Sequence, residues 1–267
     1  MTRNALRRLA LPLATLATSA VVAATPAGTP PAKPTVVLVH GAFADAASWN
    51  GVITQLQGRG FPVVAAANPL RSVSGDAAYV GSVIDRIAGP VVLVGHSYGG
   101  TVITTAAAGK ANVKALVYVA AFAPDVGESS LALAGRFPGG TLGGALDAPA
   151  VLPGGGVELA IRQDAFWQQF AADVGEAEAR LMAAGQRPIA EAALTEDTKV
   201  AAWKQIPAYF VYGTADRNIP AQALGFMAER AGSRKTVVVP GASHVVMTSQ
   251  PTPVAALIEE AAMATVR

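Results

Sequence analysis

An α/β architecture is what this sequence predicts: a mostly parallel, doubly wound sheet, with a cap inserted before the strand that bears a key acid. Three observations carry it. Short, Val-rich apolar runs recur at 35–39, 62–67, 91–94, 115–120, 208–212 and 236–239. They do not alternate, as expected of strands buried on both faces. Longer amphipathic stretches separate them, which implies parallel strands joined by helical crossovers. One interval, residues 124–206, breaks the rhythm and shows no clear buried strand.

In chain order, the first strand (35–39) runs into "HGAFADAASW" and a helix over 49–57. A strand at 62–67 and a helix over 77–87 follow. The strand at 91–94 leads through "GHSYGG" into a helix over 101–108, and a strand at 115–120 ends the first half. The interval 124–206 opens loop-like with "RFPGGTLGGALDAPAVLPGGG". A more regular stretch at 157–172 and helical patterns at 176–184 and 189–194 come next. Strand 208–212, helix 221–231, strand 236–239 and helix 253–262 complete the chain. Ligands of such sheets bind outside the carboxyl ends of the strands, so the insertion is expected to cap that rim.

Residues 1–24 read as a secretory signal. Arg3, Arg7 and Arg8 precede an apolar run, and small residues at 22–24 suit cleavage. The run from Leu9 to Ala24 carries Pro12 and is shorter than the roughly 20 apolar residues a span needs. Stable membrane anchoring is therefore not expected. The chain reads as secreted or periplasmic, and Arg7-Arg8 hints at twin-arginine export. A Pro-rich lead-in occupies 25–34, and one domain fills 35–267.

Residues 1–24 hold three of the 20 Lys and Arg and none of the 18 Asp and Glu. The remainder carries 17 basic against 18 acidic groups, a net charge of −1. No basic stripe remains to favour nucleic acid. The absence of cysteine excludes disulfides, thiol catalysis and cysteine-ligated metals.

The chemistry concentrates at Gly95-His96-Ser97-Tyr98-Gly99. G-x-S-x-G is weak alone and strong between a buried strand and a helix, where a sharp turn lifts the serine oxygen above the sheet. Glycines there permit the bend and the close approach. Such a serine needs a base. Of three histidines, His96 adjoins the serine and His40 ends the first strand. His244, on the loop after the last strand, is the candidate. Its carboxylate partner is Asp216, after strand 208–212, with Asp125 as rival. The order Ser97, Asp216, His244 is that of a hydrolase triad. A developing oxyanion needs preplaced N–H donors. Tyr98 supplies one; Ala42 supplies the other, with Phe43 as second choice.

With "VVLVHGAFADAASW", "VVLVGHSYGG", "VYVAAFAPDVGES", "YGTADRNIP" and "GASHVVM" in this order, the chain resembles the α/β-hydrolase superfamily. In detail it is similar to the branch of plant methylesterases, the salicylate-binding esterase and hydroxynitrile lyases. The resemblance implies the α/β-hydrolase fold, a compact cap, a mostly apolar pocket and hydrolysis of a small carboxylic ester. It implies no metal or organic cofactor. It also supports Ser97, Asp216 and His244 as the triad and Ala42 with Tyr98 as the oxyanion pair. The lyases resemble this chain but carry a threonine and a lysine where it has Gly41 and Val245, which favours hydrolysis. Phe43, Tyr98, Phe166, Trp167 and Phe170 are the expected pocket contacts, with plain cap packing as the alternative for the last three. Two other functions share these features: a ligand-binding or receptor-like protein on a hydrolase scaffold, and a cofactor-free perhydrolase.

Overall fold

The computed structural model describes Met1 and residues 33–265. The expected leader (1–24) lies outside the described residues apart from Met1, as does the lead-in (25–34) apart from its last two positions. The strands are β1 (Thr35–Val39), β2 (Val63–Ala66), β3 (Val91–His96), β4 (Val113–Val119), β5 (Ala150–Val151), β6 (Val157–Leu159), β7 (Ile189–Ala190), β8 (Ala208–Gly213) and β9 (Lys235–Val239). The helices are α1 (Asn50–Gly58), α2 (Val73–Asp85), α3 (Tyr98–Ala106), α4 (Ser130–Ala134), α5 (Gln163–Phe170), α6 (Glu176–Gly185), α7 (Glu191–Thr195), α8 (Ala221–Arg230), α9 (Val246–Ser249) and α10 (Pro251–Ala264). None is long and apolar enough to cross a membrane.

Six strands form one sheet in the order β2-β1-β3-β4-β8-β9, and every pairing in it is parallel. β3 and β8 are buried along their whole length, which is why their sequences read as unbroken apolar runs. β9 lies at an edge and is half exposed. From β1 the chain moves outward to β2, then returns to β3 on the other side of β1. The loops leaving β1 and β3 therefore diverge, and such a switch point opens a crevice at the strands' carboxyl ends.

Several boundaries differ from the sequence reading for local reasons. β4 starts two residues early because exposed Lys114 breaks its apolar run. α1 starts at Asn50 because residues 46–49 form a 3-10 turn, capped by the Asp45 side chain on the Ala47 N–H. α2 begins at Val73, where the Ser72 hydroxyl caps the Gly75 N–H. The insertion between β4 and β8 holds a small antiparallel sheet, β5-β6-β7, that sequence reading missed. The regular stretch 157–172 divides into β6 and α5, and 189–194 into β7 and most of α7. Strands of two or three residues are too short to show a period-2 pattern. Backbone bonds fasten this insertion to the main body, among them Ala190 N–H to Leu70 C=O, Phe43 N–H to Arg187 C=O and Thr141 N–H to Arg217 C=O, each 2.9 Å.

The turn from β3 to α3 is packed to the limit. A Cβ on Gly95 would sit 2.5 Å from the Gly99 carbonyl oxygen, and one on Gly100 would sit 2.2 Å from the Phe122 carbonyl oxygen. Both obstacles are backbone, so neither yields cheaply. Gly95 lets α3 start directly against β3, and Gly100 lets it lie directly against the exit of β4.

Two histidines belong to this frame. His40 Nε2 accepts the Asn68 N–H at 3.1 Å, and its Nδ1 bonds the Gly41 carbonyl at 2.9 Å. The proton is therefore on Nδ1. His96 is fully buried, and its Nε2–H donates to the His244 carbonyl at 3.1 Å. Burial lowers the pKa of both, and lowers that of His96 well below the ordinary histidine value; neighbouring charges, Arg187 and His244 respectively, push the same way.

Two outcomes follow. Gly100→Ala should destabilise the protein by about 3 kcal/mol, the cost of overpacking against fixed backbone. Gly58→Ala, at the end of α1 with open space around it, should be neutral or stabilising by up to about 1 kcal/mol. Urea unfolding measures both. The buried histidines give the other outcome: the unfolded chain takes up protons at His40 and His96 near pH 6.5, whereas the folded chain does so only at lower pH. Stability should therefore fall as pH drops below about 6.5, by up to roughly 1.4 kcal/mol per pH unit for each histidine. His96→Gln should remove its share of that slope, read from unfolding between pH 5 and 8.

Candidate active site

Ser97 stands between β3 and α3 with φ 53° and ψ −124°, a region that costs a non-glycine residue about 1–3 kcal/mol. Its backbone is pinned from several sides. The Ser97 N–H reaches the Val119 carbonyl at 3.2 Å, and its carbonyl accepts the N–H groups of Gly100 at 2.9 Å and Phe122 at 3.2 Å. The loop after β1 presses against it. A Cβ on Gly41 would sit 2.6 Å from Ser97 Cβ, so only glycine lets that loop come so near. Phe43 in the same loop (φ 60°) and Ala120 at the end of β4 (φ 44°) are also in the left-handed region. Backbone strain thus gathers at the carboxyl rim of the sheet.

His244 is buried on the loop after β9. Its Nδ1 lies 2.7 Å from Asp216 Oδ2. The other oxygen of Asp216 accepts the N–H groups of Asn218 at 2.8 Å and Ile219 at 2.9 Å. With Nδ1–H given to Asp216, the free nitrogen of His244 is Nε2. The imidazole is flanked by the rings of His96, 4.7 Å away, and Phe170, 5.1 Å away between centroids. Ser97 and His244 line one cavity of about 70 Å³. The Ser97 hydroxyl makes no hydrogen bond among the described residues in this conformation; such bonds often tighten only when substrate binds.

Asp125, the rival acid, is elsewhere. It pairs with Lys204 and accepts the Val126 N–H at 2.7 Å, so it shapes the first turn of the insertion.

The Ala42 and Tyr98 N–H groups are not committed to other acceptors among the described residues. Phe43 is different, and the second choice for the oxyanion hole is corrected: its N–H is bound to the Arg187 carbonyl. The Phe43 residue does line the cavity. Tyr98 lines it too, but its hydroxyl is given to Asp76 Oδ2 at 2.9 Å. Burial, reinforced by the Asp76 carboxylate, drives the Tyr98 pKa far above the ordinary phenol value. Tyr98 is an anchor between the turn and α2, not a proton donor.

Phe166, Trp167 and Phe170 are not among the cavity's lining residues, a second correction. Phe170 packs on the His244 ring, Phe166 packs on Phe170 at 4.9 Å, and Trp167 Nε1–H donates to the Val174 carbonyl at 2.9 Å. These aromatics are large enough to fill the space under the cap and do so. The apolar wall comes instead from Phe122, Leu131, Ala134, Leu142, Leu194 and Ile219. Ser130 and Asn218 are its polar members from outside the triad turn. The apolar face of the short α4, "SLALA", was the one signal of this wall in the sequence.

This geometry can be set beside known proteins. The structure of polyneuridine aldehyde esterase superposes with a TM-score of 0.73 at 19% identity, over 85% of this chain and 98% of that one. An extracellular α/β-hydrolase from a Paenibacillus species shares structural and functional homology with Tobacco Salicylic Acid Binding Protein 2. It superposes with a TM-score of 0.68 at 24% identity, over 86% of this chain and 99% of that one. Likeness at these identities concerns the fold. Probable hydrolase R7 of Phoma sp. (strain ATCC 20986 / MF5453) is 35% identical over 114 residues, 37% of this chain. The match spans 46% of that curated relative, less than half its length. The alpha/beta hydrolase family matches residues 36–257, a span that contains Ser97, Asp216 and His244, and this chain belongs to that family.

Proposed function

We propose that this protein is an exported serine hydrolase that cleaves small carboxylic esters through an acyl-enzyme. The observation that carries the reading is the buried His244–Asp216 pair, whose histidine lines one cavity with Ser97. Ser97 Oγ attacks the ester carbonyl while His244 Nε2 takes its proton. Asp216 keeps His244 in the tautomer that leaves Nε2 free and stabilises the imidazolium that forms. The Ala42 and Tyr98 N–H groups receive the oxyanion. His244 then protonates the departing alcohol, and a water activated by the same nitrogen releases the acid.

The small, mostly apolar cavity supports short or compact acyl groups. The names of the structural neighbours support esters as the substrate class. Val245 is fully buried among apolar residues, so the position after the histidine offers no cation to stabilise cyanide, which supports hydrolysis over cyanohydrin cleavage. Export rests on the pattern of residues 1–24.

The test is turnover of a chromogenic acetate ester. Ser97→Ala should lower kcat/KM by at least about 10³-fold with an unchanged unfolding midpoint, and Asp216→Asn by about 10⁴-fold. A fluorophosphonate should label the wild type at Ser97. No turnover of any short ester and no labelling would replace this reading with that of a ligand-binding protein on the same scaffold. Oxidation requiring both peroxide and a carboxylic acid, without ester turnover, would indicate a perhydrolase.

A further inference from the structure

One polar residue that lines the catalytic cavity has a side-chain group with no task in the mechanism above. Asn218 is buried and lines the cavity with Ser97 and His244. Its backbone N–H is spent on Asp216. Its side-chain oxygen accepts the Gln169 Nε2–H at 2.7 Å. Its Nδ2 is buried and has no partner.

The orientation of this amide is set by its neighbours. Gln169 Nε2 also donates to the Arg217 carbonyl at 3.0 Å, which can only accept. The Thr141 hydroxyl donates to Gln169 Oε1 at 2.9 Å. Gln169 must therefore present its NH₂ to Asn218, and Asn218 must answer with its oxygen. Turning Asn218 over would set two NH₂ groups against each other. Nδ2 is thus held as a donor of two N–H groups with nothing among the described residues to receive them.

A buried donor in that state is costly and calls for a partner. Other buried side-chain atoms among the described residues share the condition, Trp49 Nε1 and His96 Nδ1 included. Of the residues that carry them, Asn218 alone lines the cavity that holds Ser97. The part of the wall that the insertion contributes is apolar apart from Ser130, whose hydroxyl is paired with Thr101 at 2.7 Å.

We propose that Asn218 Nδ2 is a specificity-determining donor that receives an acceptor oxygen of the substrate. The preferred substrates are then esters with an ether, hydroxyl or carbonyl oxygen close to the scissile group, not plain hydrocarbon esters. This rests on Ser97 acting as the nucleophile. Sites built to hydrogen-bond a substrate group discriminate strongly against the analogue that lacks it, because their own polar group is left unpaired.

The experiment uses two isosteric pairs in which one CH₂ becomes an oxygen. On the acyl side the pair is p-nitrophenyl butanoate and p-nitrophenyl methoxyacetate. On the alcohol side it is butyl acetate and 2-methoxyethyl acetate. Each kcat/KM is divided by the rate of hydroxide-catalysed hydrolysis, which removes intrinsic reactivity. In the wild type, the ether ester should win by about tenfold or more in at least one pair. Asn218→Leu should bring that ratio close to one. Asn218→Asp keeps an oxygen towards Gln169 and replaces the donor by an acceptor, so it should push the ratio below one.

Wild-type ratios near one in both pairs would overturn the inference without any variant being needed. So would a ratio that survives Asn218→Leu, the result expected if Nδ2 is satisfied by a bound water or serves only to hold Asp216. Failure to turn over any of the four esters would overturn the esterase reading and this inference with it. Turnover without discrimination would overturn this inference alone.

Discussion

The site depends on a steric constraint: three stretches of backbone must pass within van der Waals contact of one strained serine. The loop after β1, the turn after β3 and the chain leaving β4 all converge there. Gly41, Gly95, Gly99 and Gly100 each occupy a position where a Cβ would meet other atoms within 2.2–2.6 Å. The strain at Ser97, about 1–3 kcal/mol, is sustained by this packing and by the hydrogen bonds that pin its N–H and C=O. The same crowding sets Ala42 and Tyr98 in the wall of the cavity that Ser97 lines. The proposed nucleophile and oxyanion donors would thus be products of a single packing solution at the switch point of the sheet.

His244 is located by a second set of restraints. Asp216 holds its Nδ1, His96 holds its carbonyl, and Phe170 covers its ring. His96 lies next to Ser97 in the chain, so this contact ties the histidine loop to the nucleophile turn. Asp216 is in turn held by two backbone N–H groups and shielded from water. A buried carboxylate of this kind is tolerable only because each oxygen has partners. The cost of this preorganisation is met by the large Val-rich core beneath, which also explains how a chain without disulfides supports a strained rim.

Much of this was legible in the sequence because it rests on strong periodicities and on spacing. Six parallel strands showed themselves as unbroken apolar runs, and Ser97, His244 and Asp216 followed from a motif, from elimination and from chain order. The structure brings the last two together and sets His244 in the wall of the cavity that Ser97 lines. What was not legible depended on tertiary packing. The strands of the insertion are too short to carry a period. For Phe166, Trp167 and Phe170 the sequence left pocket wall and cap packing both open, and their rings serve the support behind His244 and the cap's own packing. The Phe43 N–H looked free until the insertion's Arg187 carbonyl was seen to take it. Asn218 carries no sequence signal at all: its unpaired amide emerges only from a chain of hydrogen bonds through Gln169 to the Arg217 carbonyl.

A crystal structure of the protein inactivated by a small alkyl phosphonate probes the central claim most directly, because the phosphonyl group mimics the tetrahedral intermediate. The account predicts phosphorus bonded to Ser97 Oγ, with one phosphonyl oxygen about 2.7–3.1 Å from both the Ala42 and Tyr98 nitrogens and His244 Nε2 within hydrogen-bond reach of the serine oxygen. An adduct on another residue, or a phosphonyl oxygen turned away from those two nitrogens, would contradict it.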